Sequence, residues 1–350
     1  MTPFIVPVFI PHSGCPHQCA FCNQKAITGQ VAGKISMTTV REQIDRFLAL
    51  PHDRHRTVQI SFYGGNFLGL PGKTIRSLLD LAGGIVEQGH ADGIRFSTRP
   101  DTVSSRTLAL IREYPVQTVE IGVQSMDDTV LDKTRRGHTA RDTEKALKRL
   151  AQTPYEIGLQ MMTGLPGDND AATWMTARRL AEFTPAFVRI YPALVLKGSP
   201  MAVWYASGEF IPLSLDEAVE RAKGLYLFFQ EKAIPVIRMG LQASDELSSG
   251  QTVLAGPYHP AFGHLVMSSI WLDKASELLA DKKIREDKAV FYVRPENISK
   301  LRGQRNRNIR KLMQQFHLKA IDVKPDENMA DEDIRIDTLQ PSTIYPSQFP

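Results

Sequence analysis

"FIVPVFIPHSGCPHQCAFC", residues 4–22, runs a stretch of apolar and β-branched residues straight into three cysteines. Residues 4–10 read as a buried strand. The loop that follows holds Cys15, Cys19 and Cys22, all three cysteines of the 350-residue chain. A strand whose C-terminal end carries a reactive loop is the pattern of a (β/α) barrel, where the chemistry sits at that end of each strand. The fold therefore turns on whether the pattern repeats.

It does. "TVQISFY" (57–63) runs into "YGGN", "IRFST" (94–98) into "STRPD", "QTVEIGV" (117–123) into "GVQS", and "EIGLQMM" (156–162) into "GLPG". "FVRIYP" (187–192) and "IPVIRMGL" (234–241) are two further strand candidates. Helical spacing of apolar residues fills the gaps at 74–88 and 143–152. Capping boxes at Thr39/Glu42 and Ser214/Glu217 announce helices over 40–50 and 215–232. Strands separated by helical crossovers pair in parallel, with a right-handed twist. The expected fold is α/β: a partial (β/α)6 barrel of the TIM type over residues 1–242. A small C-terminal extension, α-rich or irregular, is expected over 243–340, and a flexible tail over 341–350. A doubly wound open sheet also alternates, but it does not explain why the motifs fall at strand ends.

With 42% hydrophobic and 23% charged residues, the composition is that of a soluble globular protein. No run of about 18 apolar residues is present, so no membrane span is expected. The first residues lack the basic flank and small-residue cleavage site of a signal peptide. Three clustered cysteines build no disulfide framework and need a reducing setting, so the expected location is cytoplasmic. The net charge of +4 is unevenly spread. Residues 282–320 carry twelve Lys/Arg against three acids, a net +9, and leave the rest of the chain at −5. Such a basic stretch is a solvated face or a track for a phosphate backbone. Its aromatics are few (Phe291, Tyr292, Phe316), so base stacking is not advertised.

Thiolates select soft metals: zinc, copper(I) or iron–sulfur clusters. Four cysteines commonly hold a [4Fe–4S] cluster. Three cysteines spaced Cys-x3-Cys-x2-Cys leave one iron without a protein ligand and open to a small molecule. The competing reading is a Cys3His zinc clip completed by His12 or His17. In "YGGN", glycines let backbone approach a ligand closely, and their carbonyls accept hydrogen bonds from an ammonium group.

"GCPHQCAFCNQ" resembles the cluster loop of the radical S-adenosylmethionine (radical SAM) superfamily, with Phe21 in the place of the usual aromatic. The resemblance implies a [4Fe–4S] cluster on Cys15, Cys19 and Cys22, and S-adenosylmethionine on the fourth iron, cleaved to a 5′-deoxyadenosyl radical. It places Gly64, Gly65 and Asn66 at the methionyl amine. "EIGVQSMDDTVLDKTRRGHT" (120–139) and "MMTGLPGD" (161–168) resemble the subgroup of oxygen-independent coproporphyrinogen III oxidase and the Elongator catalytic subunit. There, the matching residues Gln124 and Arg136 contact the nucleoside and carboxylate. Gln160 stands where relatives carry Asp or His, and its amide can bond a ribose hydroxyl. His138 is expected to be a structural partner. "VRIYPALVLKGSP" and "IRMGLQ" favour the Elongator-like branch, with RNA, transfer RNA in particular, as substrate. No Gly-rich loop for acetyl-coenzyme A is visible, so acetyl transfer is not expected. A reductase or a flavodoxin- or ferredoxin-type electron donor is implied as partner. The alternatives are a porphyrinogen-oxidase-like enzyme and a non-catalytic cluster- or zinc-binding RNA adaptor.

Overall fold

Alternation within each strand decides how this sheet packs. The computed structural model describes residues 3–10, 14–23, 35–53, 55–242, 247, 250–281 and 288–338. His12, Lys282, Lys283, Arg285 and the tail at 341–350 lie outside the described residues. The chain divides into two compact units, Met1–Pro260 and Ala261–Pro350.

The first unit runs β1 (Phe4–Phe9), α1 (Met37–Leu48), β2 (Val58–Tyr63), α2 (Gly72–Glu87), β3 (Gly93–Thr98), α3 (Ser105–Ile111) and β4 (Val116–Gln124). It continues with α4 (Asp128–Lys133), α5 (Ala140–Leu150), β5 (Glu156–Thr163), α6 (Asp170–Ala181), β6 (Phe187–Pro192), β7 (Val195–Leu196) and α7 (Pro200–Ala206). It closes with α8 (Leu215–Glu231), β8 (Val236–Met239) and β9 (Val253–Ala255). Strands β1 to β6 and β8 form one parallel seven-stranded sheet in chain order, a half-barrel. The seventh strand extends the six-unit expectation by the 234–241 candidate. Cap chemistry starts the helices. Ser214 and Glu217 make the expected box on α8, whereas α1 is capped by Ser36 accepting from the Thr39 amide, not by Thr39.

One face of the sheet is apolar: Ile60 and Phe62 on β2, Ile94 and Phe96 on β3, Val119 and Ile121 on β4, Leu159 and Met161 on β5, Val188 and Ile190 on β6, all buried. Each such side chain contributes about 1.5–3 kcal/mol by leaving water. Helices α1, α2, α6 and α8 pack on these strands. Most of the intervening positions are polar, with Tyr63, Arg95, Ser97, Glu120, Gln124, Gln160, Arg189 and Tyr191 among them; Met162 and Phe187 are exceptions. Parallel strands covered on both faces normally read as continuous apolar runs. Here the inner face of the half-barrel is built for polar contacts.

The stretch after 242, rich in Gly, Ser and Pro, does not belong wholly to the second unit. It supplies β9, which pairs antiparallel with β7 inside the first unit. The second unit comprises α9 (Phe262–Asp281), β10 (Lys288–Val293), α10 (Ile298–Arg302), α11 (Arg307–Gln315), β11 (Ala320–Pro325) and β12 (Arg335–Thr338). Central β10 pairs parallel with β11 and antiparallel with β12, over a core of Trp271, Leu279, Phe291, Val293, Leu301 and Leu312. The extension is rich in helix, as expected, but it is not irregular: it also builds a three-stranded sheet. "KAVFYV" (288–293) buries Ala289, Val290, Phe291 and Val293, a short apolar strand signal that the surrounding cationic residues masked.

Candidate active site

The cysteine loop leaves β1 and is tied down on three sides. The Ala20 amide donates to Thr134 O (2.8 Å), the Met201 amide to Ala20 O (3.0 Å), and the Asn23 side chain to Lys197 O (2.5 Å). Ala20 packs with Val130, Leu165, Val195 and Met201, and the half-buried Phe21 joins them. Cys19 is buried, while Cys15 and Cys22 are partly exposed.

The fourth tie is to the glycine turn after β2. Gly64 and Gly65 hold φ of 79° and 110°, a region glycine enters without penalty. Phe67 fixes the turn by stacking between Phe62 and Phe96, with ring centroids 5.2 and 4.5 Å apart. The Asn66 side chain does not reach out from this turn. Its Nδ2 donates to Gly14 O (2.8 Å), and its Oδ1 accepts from Thr98 Oγ1, the Arg99 amide and Thr102 Oγ1 at 2.7, 3.0 and 2.9 Å. Its oxygen is spent on the "STRPD" turn and its nitrogen on the cysteine loop, so the side chain joins the two. Gly14 permits this contact: it has φ of 80°, and a Cβ there would stand 2.3 Å from Asn66 O. Gly14→Ala is expected to cost about 1–3 kcal/mol of backbone strain and to lower the iron bound on reconstitution, read by denaturant melts and iron content.

Gln124 and Arg136 meet over Gly122. Gln124 ends β4 at a register shift with φ of 71°, and its buried Oε1 has no partner among the described residues. Strain of this kind in a non-glycine residue re-aims a side chain and collects at functional sites. Arg136 is 7% exposed. Its Nη2 donates to Gly122 O (2.6 Å), its Nη1 lies 3.3 Å from Cys19 Sγ, and its Nε is unpartnered among the described residues. A second guanidinium, Arg99, lies 3.9 Å from the same sulfur. Burial pushes the Cys15 thiol up, and Arg136 and Arg99 pull it back towards thiolate.

Gln160 lies deeper. Its Nε2 donates to Glu120 Oε2 (3.0 Å) and reaches Ser97 Oγ (3.4 Å). Glu120 has no exposure and anchors a row of charge: Arg95 Nε at 2.5 Å, Arg189 Nε at 2.9 Å, and the Tyr63 hydroxyl at 3.2 Å. Burial and the neighbouring Glu120 push the Tyr63 phenol up, so it stays a hydrogen-bond donor. Sequence reading assigned no role to Arg99, Arg95, Glu120 or Arg189. For three of them the signal was present as polar residues at even spacing within strands: Arg95 and Ser97 in "IRFS", Glu120 and Gln124 in "VEIGVQ", Arg189 and Tyr191 in "VRIY".

His138 is buried beside this site, and neither ring nitrogen has a partner among the described residues. Burial first, then Arg136 and Arg99, lower its pKa to about 3. The unfolded chain thus binds one more proton between about pH 6.5 and 3, so this contribution to stability is present above pH 6.5 and fades as pH falls. The cluster-free protein is expected to lose up to about 1.4 kcal/mol per pH unit in that window from this residue. His138→Gln should flatten the slope in urea melts at pH 5 and pH 7.

The donor set suits an anionic iron–sulfur group. Two guanidinium groups against one carboxylate, Asp101, surround Cys19, and Arg136 Nε and Gln124 Oε1 await partners. Among the described residues no three His, Cys, Asp or Glu side chains converge on one ion. His17 is exposed, with its ring packed on Gly137.

Comparison with known proteins agrees. Residues 9–180 match the radical SAM superfamily domain and 185–271 the radical SAM C-terminal domain, so the chain belongs to the radical SAM superfamily of enzymes, which bind a [4Fe–4S] cluster and S-adenosylmethionine. It is similar to an uncharacterized protein of Methanocaldococcus jannaschii, 25% identical over 297 residues, covering 82% of this chain and 88% of that protein. It is also similar to the tRNA uridine(34) acetyltransferase of Methanocaldococcus infernus, 32% identical over 126 residues, which cover 35% of this chain and 24% of that enzyme. The chain thus spans about a quarter of that acetyltransferase. The fold is that of Methanocaldococcus infernus Elp3 lacking residues 1–46, with a TM-score of 0.59 at 19% identity over 82% of this chain and 70% of that one. No helix among the described residues is long and apolar enough to cross a membrane.

Proposed function

We propose that this radical SAM enzyme acts on RNA, with transfer RNA as the substrate class. The carrying observation is the polar inner face of the half-barrel, which ends at the cysteine loop and at the two unpartnered groups on Gln124 and Arg136. Its similarity to the tRNA-acting relatives points to RNA. When bound, the cluster supplies the electron that cleaves S-adenosylmethionine and starts radical chemistry. The chain's own residues bind and orient. Cys15, Cys19 and Cys22 hold the cluster, and the Gly64 and Gly65 carbonyls receive the methionyl amine. Asn66 braces the turn. Arg136 Nε meets the carboxylate, Gln124 Oε1 the nucleoside, and Gln160 the ribose.

The second unit supplies a phosphate-binding face. Arg302, Arg305, Arg307, Arg310 and Lys311 are exposed on and around α11. Each contact of this kind with RNA releases counterions, so binding should weaken steeply with salt. A cytoplasmic, reducing setting and a flavodoxin- or ferredoxin-type electron donor complete the proposal.

The test is anaerobic reconstitution, reduction, and assay of 5′-deoxyadenosine with and without transfer RNA. RNA-stimulated release, and salt-sensitive RNA retention lost on neutralising Arg305, Arg307 and Arg310 together, is the expected result. Tight porphyrin binding without RNA retention would move the assignment to the porphyrinogen-oxidase-like reading. Zinc uptake with no cleavage of S-adenosylmethionine would defeat the catalytic role altogether.

A further inference from the structure

Arg99 is one of the largest fully buried side chains, at 1% exposure. Burying a guanidinium is costly unless each donor is used. Its Nε and Nη2 clasp Asp101 at 2.9 and 3.0 Å. Nη2 also donates to the Arg136 carbonyl (2.5 Å), and its main-chain amide donates to Asn66. The remaining nitrogen, Nη1, points to Cys19 Sγ. Asp101 satisfies part of the charge but does not explain that last direction. A surface pair would have served to close the "STRPD" turn; this one is carried inward to a sulfur 80 positions away in sequence.

Positive charge and N–H···S bonds beside a cluster ligand stabilise the reduced cluster more than the oxidised one, and so raise its reduction potential. A nearby carboxylate does the opposite. Arg99 is the only one of the two arginines at Cys19 that carries its own carboxylate, and the Asp101 side chain is 23% exposed and so only partly desolvated. The pair is a cation aimed at the ligand with an anion behind it that damps its field.

We propose that Arg99 and Asp101 act as an opposed pair that sets the reduction potential of the cluster held by Cys19, with Arg99 also fixing the Arg136 backbone. The electron step is simple: the cluster gains one electron from an external one-electron donor, and no protein bond is made or broken. Both are positioning residues, acting through Cys19 and Arg136. The proposal rests on the cluster assignment above.

The test is a dithionite titration of the reconstituted full-length protein, followed by electron paramagnetic resonance, with iron content measured alongside. Arg99→Gln is expected to shift the midpoint to more negative potential, and Arg99→Lys by a smaller amount in the same direction. Asp101→Asn, which keeps an acceptor in place but removes the charge, is expected to shift it to more positive potential. A purely structural role would not give shifts of opposite sign. Midpoints that stay at the wild-type value, or that move in one direction for both residues, would overturn the proposal. Should Arg99→Gln take up less iron, Arg99→Lys and Asp101→Asn still decide the sign. A wild-type protein that shows no cluster signal defeats the cluster assignment instead.

Discussion

Cys19→Ser is expected to abolish cluster binding and S-adenosylmethionine cleavage while leaving most of the fold intact. Cys19 is the cysteine that the tertiary structure has committed. It is 5% exposed, and two guanidinium groups converge on its sulfur. A serine hydroxyl stays protonated there and is a hard ligand, so it replaces neither the charge nor the softness of a thiolate. Loss of a residue that only supports a metal ligand costs about 10–100-fold, and loss of the ligand itself should exceed that. The loop's own anchors, at Thr134, Met201 and Lys197, do not pass through the sulfur and should survive. Iron content, visible absorbance and deoxyadenosine release are the readouts. A variant retaining full iron and cleavage would show that the ligand set lies elsewhere.

Glu120→Gln should be the most destabilising single change on the inner face, by about 3–5 kcal/mol. Glu120 is fully buried between Arg95 and Arg189, and its carboxylate also receives Tyr63 and Gln160. An amide leaves two guanidinium groups in a desolvated site with no counter-charge. Arg95 gains some relief from the Phe187 ring, 4.5 Å from its guanidinium carbon, but a cation–π contact offsets only about 1–2 kcal/mol. Arg189→Gln leaves a one-to-one pair and should cost less. Urea unfolding of both variants decides the order. A loss under about 1 kcal/mol for Glu120→Gln would mean that water already solvates the row. The site should suffer with the fold, because Gln160 loses the oxygen that aims it.

Much of this was legible because it is local. Strand 57–63 alternates Val58, Ile60 and Phe62 with Gln59, Ser61 and Tyr63, a period-two signal that fixes one packing face. Three cysteines on one turn fix a ligand type. The C-terminal sheet was hidden for a different reason: β10 and β11 lie in or beside a run of cations whose charge outweighed the short β pattern. The α1 cap is Ser36 and not the expected Thr39: the two lie within one helical turn of each other, and the backbone leaves Ser36 outside the first turn.

The amino-acid sequence by itself determined the strand–helix order, the cysteine cluster, the glycine turn and the superfamily. Those properties rest on neighbours a few residues apart. Only the tertiary structure decided that Asn66 is a brace, that Gln160 serves Glu120, and that Arg99 reaches Cys19. These contacts join residues 32 to 80 positions apart, on different strand ends of one curved sheet. A donor's partner is chosen by which strand ends the sheet brings together and by the cost of leaving a buried charge unpaired, and neither is written in local sequence.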